Sequence, residues 1–277
     1  MLADVVAHLR CPACGEPLAE AGGAALRCGR GHSFDVARHG YVHLGVGRMP
    51  HSGDSAEMVA ARADFLAAGH YAALSAAAAT AALGAYPGRG MVVDVGAGTG
   101  HHLARVLDAL PGAVGLAVDV SKPALRRAAR AHPRADAVLC DAWRGLPLAD
   151  RCVGLLLNVF APRNGVEFRR VLRPDGALVV VTPNPDHLAE LVDALPLLRV
   201  DPGKEERVAA RLFGFAPSAE QVARLPLALR HAEVGTLVGM GPSAWHTEPD
   251  AMAAVIAELP DPVAVTLSVR VTTYRPV

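Results

Sequence analysis

Three cysteines and one histidine near the amino terminus stand at a spacing that suits a metal ion. Cys11 and Cys14 form C-x2-C, and after thirteen intervening residues Cys28 and His32 form C-x3-H. Three thiolates and one imidazole can complete a tetrahedron around one Zn²⁺, which leaves no ligand position open for water. The spacing therefore predicts a structural zinc site in a zinc ribbon over residues 1–45.

The other two cysteines do not extend this pattern. Cys140 and Cys152 lie far along the chain inside apolar runs, where a thiol behaves as a small buried hydrophobic group. A disulfide framework of a secreted protein is the alternative, but five cysteines are an odd count and the first residues do not resemble a signal peptide. Because residues 1–45 are too few to bury a sufficient core, zinc is expected to supply much of their folding free energy.

A second group of chemically informative residues begins inside a short apolar run at residues 92–95. Asp94, Gly96, Gly98 and Gly100 form the pattern D-x-G-x-G-x-G. Glycines at the end of a strand let the backbone approach a ligand closely and turn onto the start of a helix. An acid inside the strand is typical of S-adenosylmethionine-dependent methyltransferases, whereas a nicotinamide dehydrogenase favours G-x-G-x-x-G without that acid.

Polar residues also follow the next two apolar runs. Asp119 ends the run 113–120, at the distance from the glycine loop where an acid binds ribose hydroxyls. Asp141 and Ala142 follow the run 137–139 and are expected to present a carboxylate and a backbone amide to an adenine. Because the carboxyl ends of parallel strands meet at one edge of a sheet, these groups are predicted to line one donor site.

These residues need a framework of alternating strands and helices to position them. The predicted fold class is α/β, a seven-stranded Rossmann-like class I methyltransferase sheet with a small amino-terminal zinc-ribbon domain. The predicted strands cover residues 92–95, 113–120, 137–139, 153–159, 177–182, 225–234 and 263–274, with a tight turn at 172–176. Helices are predicted at 71–83, 102–109, 124–132, 186–195 and 249–259. The predicted domains are a zinc-binding domain at 1–45, a hinge at 46–70 and a methyltransferase domain at 71–277.

The composition excludes some classes of protein. Of 277 residues 52% are hydrophobic, which is ample material for a core. Lys+Arg and Asp+Glu are equal at 27 each, so the whole chain carries no charge that would attract a polyanion. No run approaches the roughly 18 apolar residues that a membrane-spanning helix needs. We therefore expect a cytoplasmic protein with no membrane partner.

Local positive charge provides the argument for a nucleic-acid partner. Residues 122–134 contain no acid, and their i, i+4 spacing places Lys122, Arg126 and Arg130 on one helical face. Such a surface suits RNA phosphates, although a solvated helix face is the alternative. The same stretch also holds Arg127 and Arg134, and the amino-terminal region adds Arg27, Arg30, Arg38 and Arg48.

Several further motifs resemble one family over nearly the whole chain. These motifs are G-H-S-F-D-V-A-R-H-G-Y-V at 31–42, G-D-S-A-E-M at 53–58, G-H-Y at 69–71, D-V-S-K at 119–122 and G-P-S-A-W at 241–245. They are similar to the 23S rRNA guanine-N1 methyltransferases of the RlmA and TlrB kind. The stretch N-V-F-A-P-R-N at 158–164 looks closer to the TlrB branch, which is linked to macrolide resistance in actinobacteria.

The resemblance implies the cofactors, the substrate and further site residues. It implies that the zinc tetrad binds structural Zn²⁺ and that Tyr71, Thr99, Gly100 and His187 contact S-adenosylmethionine. The resemblance also places His101 at S-adenosylmethionine, although His101 and His102 stand where other members of the family carry an aromatic pair. The implied substrate is a guanine in a hairpin loop of 23S rRNA that lines the tunnel where macrolides bind. A homodimer is left open.

The reaction requires the loss of one proton, because guanine N1 carries hydrogen at neutral pH. Asp54, in the predicted hinge, and Asn158, at the end of the fourth strand, are the catalytic candidates. An N-cap of the following helix is the alternative role for Asp54. A small-molecule or other RNA methyltransferase, or a donor-binding regulator, is the alternative function. The zinc ribbon argues against a small-molecule methyltransferase, and the intact stretch after the fourth strand argues against a regulator.

Overall fold

The strands and helices alternate through most of the chain, in a computed structural model that describes residues 1–45, 47, 53–195, 211–241 and 249–277. The strands are β1 (Leu18–Ala21), β2 (Ala25–Cys28), β3 (Ser33–Asp35), β4 (Tyr41–His43), β5 (Met91–Val95), β6 (Gly115–Asp119), β7 (Ala135–Leu139), β8 (Val153–Val159), β9 (Leu172–Pro183), β10 (Phe215–Leu229) and β11 (Val263–Pro276). The helices are α1 (Ala3–Val6), α2 (Ala56–Ala67), α3 (Ala72–Ala85), α4 (His101–Ala109), α5 (Lys122–Ala128), α6 (Gly165–Val171), α7 (Ala189–Ala194), α8 (His231–Gly239) and α9 (Pro249–Ala257), with a 3-10 helix at Ala142–Arg144.

Eight strands form the central sheet, in the order β10-β11-β9-β8-β5-β6-β7-β4. β11 runs antiparallel to both of its neighbours, and the pairs from β9 to β4 are parallel. Every residue of β5, β7 and β8 is buried, as expected for parallel strands that are covered on both faces. The strands from β5 onward confirm the predicted seven-stranded class I methyltransferase sheet, and β4 adds an eighth.

Two predicted elements differ from the structure in their second halves. Residues 231–239 form α8 rather than the end of a strand, because the Glu233 side chain accepts from the N–H of Arg230 at 2.8 Å and closes the first turn of a helix. The helix predicted at 124–132 ends earlier, at Ala128.

The predicted turn at 172–176 lies within the bounds of β9 as a break in its pairing with β8. Val153 pairs with Leu172, and Leu155 pairs with Ala177. Residues 173–176 therefore lie opposite Gly154 alone and project out of the ladder.

The two faces of the sheet are covered by different elements. One hydrophobic core joins the first face to α2, α3, α4, α5, α7, α8 and α9. A second core joins the other face to α1, α6 and the small antiparallel sheet β1-β2-β3. Leu9 and Leu26 of the amino-terminal region belong to the same cluster as Leu116 and Phe168. The amino-terminal region thus occupies a place that a doubly wound fold usually gives to helices.

A short strand connects the amino-terminal region to the edge of the main sheet. Tyr41 pairs with Ala137, and His43 pairs with Leu139, in a parallel ladder. Gly40, just before this strand, has a left-handed φ of 94°, and a side chain there would approach Ala129 Cβ at 3.3 Å. The boundaries of the predicted domains stay predictions. Residues 46 and 48–52 of the predicted hinge at 46–70 lie outside the described residues, and α2 (Ala56–Ala67) lies within it.

None of the described helices alone is long and apolar enough to cross a bilayer. Helices α2 and α3 reach that length and hydropathy only as a pair, which bends by 83°.

The four predicted zinc ligands converge at one end of the amino-terminal region. Their ligand atoms all lie within 4.8 Å of one another. Cys14 Sγ lies 3.7 Å from Cys28 Sγ, and His32 Nδ1 lies 3.6 Å from Cys11 Sγ and 3.4 Å from Cys28 Sγ. A tetrahedron with Zn–S bonds of about 2.3 Å has edges of about 3.7 Å. The donor set and its spacing therefore fit one Zn²⁺ ion with four protein ligands.

We expect replacement of Cys14 by serine to abolish stoichiometric zinc binding, because a serine hydroxyl is a poor substitute for a thiolate ligand. Zinc measured by atomic absorption should fall from about one ion per chain to well below it. Cys152→Ala is the matched control, since this buried thiol lies outside the cluster, and it should keep its zinc. A Cys14→Ser protein that retains a full complement of zinc would contradict the assignment.

Candidate functional site

Two cavities lie side by side at the carboxyl edge of β5, β6 and β8. The first, here called the ribose cavity, has a volume of about 380 Å³ and is lined by Asp54, Asp119, Asp141 and Ala142 among others. The second, here called the tyrosine cavity, has a volume of about 370 Å³. The lining of the tyrosine cavity includes Tyr71, Asp94, Thr99, His102, His187, Leu188 and Met240. Arg62, Gly96 and Phe160 line both cavities, which therefore form two halves of one cleft.

The glycine loop separates strand β5 from helix α4 and forms the floor of the cleft. Gly96, Gly98 and Gly100 all have left-handed φ angles, which other residues adopt only with strain. A side chain at Gly96 would also come within 2.4 Å of Ala161 Cβ. Glycine is thus required at Gly96 by both its backbone angle and the neighbouring loop.

Asp119 connects this loop to the next strand. One carboxylate oxygen accepts from the Gly98 N–H at 2.8 Å, and the other accepts from the Ser121 N–H at 2.8 Å. Burial raises the pKa of Asp119 in spite of these two hydrogen bonds. Each oxygen keeps a further lone pair that can accept from a ligand hydroxyl. The predicted ribose-binding acid therefore lies in the wall of the ribose cavity with accepting capacity left.

Asp94 is a buried carboxylate at the other half of the cleft. Only 1% of the residue is exposed, and Oδ1 has no hydrogen-bond partner within the described part of the chain. Burial, and after it the charge of Asp119, raise the pKa of Asp94 to about 8. A buried acceptor without a partner costs free energy unless a ligand satisfies it. The amino group of a methionine moiety, which carries positive charge and three donors, fits this requirement.

The residues expected to hold the adenine lie at the end of β7. Asp141 Oδ1 accepts from the Trp143 N–H at 3.0 Å, which fixes the turn that exposes Ala142 to the ribose cavity. Asp141, Ala142 and Trp143 all line this cavity. The predicted adenine site and ribose site are therefore walls of the same cavity.

Tyr71 and His187 are brought together although 116 residues separate them. The Ser268 N–H donates to His187 Nδ1 at 3.2 Å, so the hydrogen of the neutral ring sits on Nε2. His187 Nε2 lies 3.5 Å from the Tyr71 hydroxyl, a long contact in which the imidazole is the donor. Burial raises the pKa of Tyr71 above its ordinary value. The phenol therefore stays protonated, and its own hydrogen is available to a ligand in the tyrosine cavity.

The glycine loop is followed by two histidines, of which the second lines the cleft. His102 lines the tyrosine cavity, and its Nδ1 lies 3.0 Å from Ser75 Oγ. Burial, and then the nearby His101 and Arg62, lower the pKa of His102 to about 3, so this ring is neutral. His101 and Gly100 line neither cavity. The geometry thus favours His102 over His101 as a residue that contacts the methyl donor.

The sequence predicts that residues 158–162, at the end of the fourth strand, hold the target base, but it does not single out Phe160 among them. Its backbone is left-handed with φ 52°, which is rare for a bulky residue, and 41% of the residue is exposed. The ring lies between the two cavities, with its centroid 6.5 Å from that of Tyr71 and 5.8 Å from that of His187. A strained backbone that holds an apolar ring in solvent is a common feature of binding sites. The signal in the sequence was an aromatic residue directly after a buried strand.

The two predicted catalytic residues lie in different environments. Asp54 lines the ribose cavity, and its carboxylate forms an ion pair with Arg62, whose other nitrogen donates to the Met240 carbonyl at 2.8 Å. Ser55, rather than Asp54, caps α2. Asn158 is fully buried and lines neither cavity. Its amide nitrogen donates to the carbonyls of Val95 and Pro162 at 3.1 and 3.0 Å, so Asn158 positions the Phe160 turn.

The predicted RNA-binding arginines divide into exposed and structural groups. Arg126 and Arg127 are exposed on α5, and Arg130 is exposed in the turn after it. Arg134 does not belong with them, because its guanidinium donates to the carbonyls of Leu107, Leu110 and Ala113 near the end of α4. Arg27, Arg30 and Arg38 are exposed on the amino-terminal region, where Arg30 lies 3.9 Å from Glu16; Arg48 lies outside the described residues.

The affinity of the free protein for its methyl donor should depend on pH through Asp94. Below a pH of about 8 this carboxyl binds a proton, and the proton must leave before the carboxylate can pair with an ammonium group. The donor affinity should therefore fall with decreasing pH, by up to roughly tenfold per pH unit.

Calorimetric titrations of the donor from about pH 6 to about pH 9 would test this, with Asp94→Asn expected to bind weakly and to lose that pH dependence. Asp108→Asn, which neutralises an exposed carboxylate on α4, should behave as the wild type. Equal pH profiles for wild type and Asp94→Asn would contradict the role of Asp94.

Comparison with known protein families agrees with this geometry. A family model described as "RlmA, N-terminal" matches residues 9–47, and one described as "Methyltransferase domain" matches residues 92–176. Structural zinc and S-adenosylmethionine are accordingly the cofactors of the two parts of the chain. The solved structure of the YcgJ protein from Bacillus subtilis covers 75% of this chain with a TM-score of 0.50 and 16% identity, over 99% of its own length. This last similarity supports the fold alone.

Two curated relatives match this chain over almost its whole length. A protein of Micromonospora griseorubida, assigned as a 23S rRNA (guanine-N(1)-)-methyltransferase, is 61% identical over 99% of both chains. The 23S rRNA (guanine(748)-N(1))-methyltransferase of Streptomyces fradiae is 53% identical over 100% of this chain and 99% of its own. The family expected from the motifs is confirmed: this chain belongs to the 23S rRNA (guanine-N(1)-)-methyltransferases.

Proposed function

We propose that the protein transfers a methyl group from S-adenosylmethionine to N1 of a guanine in 23S rRNA. The observation that carries this proposal is the 53% identity, over 100% of this chain, to an enzyme named for guanine 748. The predicted donor-site residues that line the cleft, among them Asp94, Asp119 and Asp141, support it. The proposed target is the guanine that corresponds to guanine 748, in a hairpin loop near the macrolide-binding tunnel.

The donor occupies both cavities in this proposal. Asp119 binds the ribose hydroxyls, while Asp141 and the Ala142 amide bind the adenine in the ribose cavity. Asp94 binds the amino group in the tyrosine cavity, beside Thr99. When bound, S-adenosylmethionine supplies a methyl group that is already activated on a sulfonium. The chain therefore needs to orient the guanine and to accept its proton, and it needs no activated nucleophile of its own.

Phe160 is the proposed platform for the target base. A guanine turned out of its loop can place one face on this ring, since base–aromatic stacking is the usual means of holding an unpaired base. Stacking there would hold the base at the junction of the two cavities, next to Tyr71 and His187. The Tyr71 hydroxyl, with its hydrogen free to donate, is placed to bind a polar atom of the donor or the base.

Asp54 is the proposed acceptor for the guanine N1 proton. Of the two catalytic candidates it is the one that lines the cleft, and Arg62 holds its carboxylate in a fixed position. Asn158 is assigned a positioning role, because it lines neither cavity and its amide nitrogen joins the Val95 carbonyl of β5 to the Pro162 carbonyl after Phe160.

The remaining parts of the proposal concern partners and setting. An enzyme that modifies ribosomal RNA meets its substrate in the cytoplasm, which agrees with the composition. Methylation of a guanine near the macrolide tunnel would reduce macrolide binding, and a host made resistant by the gene would support that step. A homodimer is retained as a prediction, to be measured by analytical ultracentrifugation.

The alternative substrate class is a small molecule or carrier protein. The malonyl-[acyl-carrier protein] O-methyltransferase of Methylococcus capsulatus is 40% identical, but only over 39% of this chain. Tritiated donor should label deproteinised large-subunit RNA and should label neither a small-molecule panel nor malonyl-acyl-carrier protein. If the carrier protein became labelled and the RNA did not, that result would contradict the proposal.

The base platform gives a second test. Phe160→Ala should raise the KM for RNA by roughly 5-fold to 100-fold, which corresponds to about 1–3 kcal/mol of lost stacking. The affinity for S-adenosylmethionine should change less than the KM for RNA, and Phe160→Tyr should retain most of the activity because it keeps the ring. The control is Phe213→Ala, which removes an exposed ring that lines neither cavity. Equal KM values for Phe160→Ala and Phe213→Ala would contradict the platform.

A further inference from the structure

Two arginines from distant parts of the chain contact the same histidine ring. Arg38 Nε lies 3.1 Å from His39 Nε2, and Arg130 Nη2 lies 2.9 Å from His39 Nδ1. Arg38 and His39 belong to the amino-terminal region, whereas Arg130 follows α5 of the methyltransferase sheet. The contact forms because Gly40, next to His39, packs against Ala129. We call Arg38, His39, Arg126 and Arg130 the junction cluster.

The junction cluster has more hydrogen-bond donors than acceptors. A guanidinium group only donates hydrogen bonds, and a neutral imidazole accepts at one nitrogen and donates from the other. One of the two arginines must therefore face an N–H rather than a lone pair. Protonation of His39 would make the imbalance worse, since both ring nitrogens would then donate. The cluster lacks one acceptor.

No acid among the described residues pairs with these arginines. Within the ranges of the chain that the structure describes, none of the ion pairs involves Arg38, Arg126 or Arg130. Burial, and then the charges of Arg38, Arg126 and Arg130, lower the pKa of His39. Burial, and then the charge of Lys122, lower the pKa of His43 in β4. Positive charge near each histidine therefore adds to burial in lowering its pKa.

The cluster lies at one end of a positively charged path that leads to the donor cleft. Lys122 begins α5 directly after Ser121, whose hydroxyl donates to the Asp54 carbonyl in the wall of the ribose cavity at 2.7 Å. From Lys122 to Arg130 a helical rise covers about 12 Å. Arg126 lies between them. This length accommodates more than one phosphate of a nucleic-acid strand.

We propose that the junction cluster binds a backbone phosphate of the RNA substrate, with Arg38 from the zinc-binding region and Arg130 from the methyltransferase sheet sharing that phosphate. A phosphate oxygen supplies the missing acceptor and compensates the charge of the arginines. His39 acts as a positioning residue that holds the two guanidinium groups apart. This inference rests on the proposed function, because the phosphate is assigned to RNA.

The test measures binding of deproteinised large-subunit RNA as a function of salt, at about pH 8 where His39 is neutral. Arg38→Ala and Arg130→Ala should each weaken binding by about tenfold and make the slope of log affinity against log salt shallower by roughly 0.7–0.9. If both bind one phosphate, the double variant should lose less than the product of the two single losses. His39→Ala should weaken binding while leaving the slope nearly unchanged, since it removes no charge.

The matched control is Arg89→Ala, which removes an exposed arginine that is already paired with Asp175. It should bind RNA as the wild type does. Donor affinity and zinc content should be normal in every variant, which establishes that each is folded. A double variant with the affinity and salt slope of Arg89→Ala would overturn the cluster as an RNA site. A double loss equal to the product of the single losses would assign the arginines to separate phosphates and overturn the shared site.

These outcomes are separate from failure of the proposed function. If the wild type methylates RNA and the junction variants bind it normally, the activity stands and the phosphate site is wrong. If the wild type transfers no methyl group to RNA, the proposed function itself fails.

Discussion

Closure of the zinc tetrahedron is the interaction on which the rest of the structure depends. The first residues cannot bury a core of their own, so their compact form requires the metal. Once folded, they complete the hydrophobic core on one face of the sheet, where Leu9 and Leu26 meet Phe168. They also add β4 to the sheet edge and place His39 against the end of α5. One metal site therefore determines the cover of the sheet and half of the proposed RNA-binding surface.

In the donor cleft, several groups that suit ligand binding lower the stability of the protein without its ligand. Asp94 and Asp119 lie close enough for the charge of one to raise the pKa of the other, and Asp94 has an oxygen without a partner in the described structure. Phe160 adds a strained backbone and an exposed ring. Each feature costs free energy in the empty protein. A ligand with an ammonium group, ribose hydroxyls and an aromatic base would offset all three.

Local spacing made part of this structure predictable. The zinc tetrad, the glycine loop and Asp119 are read from short stretches, because turns and strand ends fix the directions of neighbouring side chains. The seven-stranded sheet followed from the regular alternation of apolar runs. The start of α8 was misassigned, because the residue types of 225–234 do not show the hydrogen bond from the Arg230 N–H to the Glu233 side chain that begins the helix. A glutamate three residues after a possible helix start is a weak signal in the sequence, whereas its hydrogen bond in the structure defines the start of the helix.

Contacts between distant residues could not be predicted in the same way. The position of Arg62 between both cavities and the approach of His187 to Tyr71 depend on how separate elements pack. Arg134 looked like one more surface charge, yet its guanidinium donates to backbone carbonyls in the last turn of α4 and in the loop after it. Composition distinguishes neither role, because an arginine can bind phosphate or backbone with the same donors.

Reverse-transcription mapping of RNA methylated in vitro tests the central claim most directly. A methyl group on guanine N1 blocks Watson–Crick pairing and should stop the transcriptase one nucleotide before the modified base. Deproteinised 23S rRNA from an unmodified strain, treated with the protein and S-adenosylmethionine, should show one new stop at the guanine that corresponds to guanine 748. Methylated RNA with no new stop, or with its stop at a different guanine, would contradict the account.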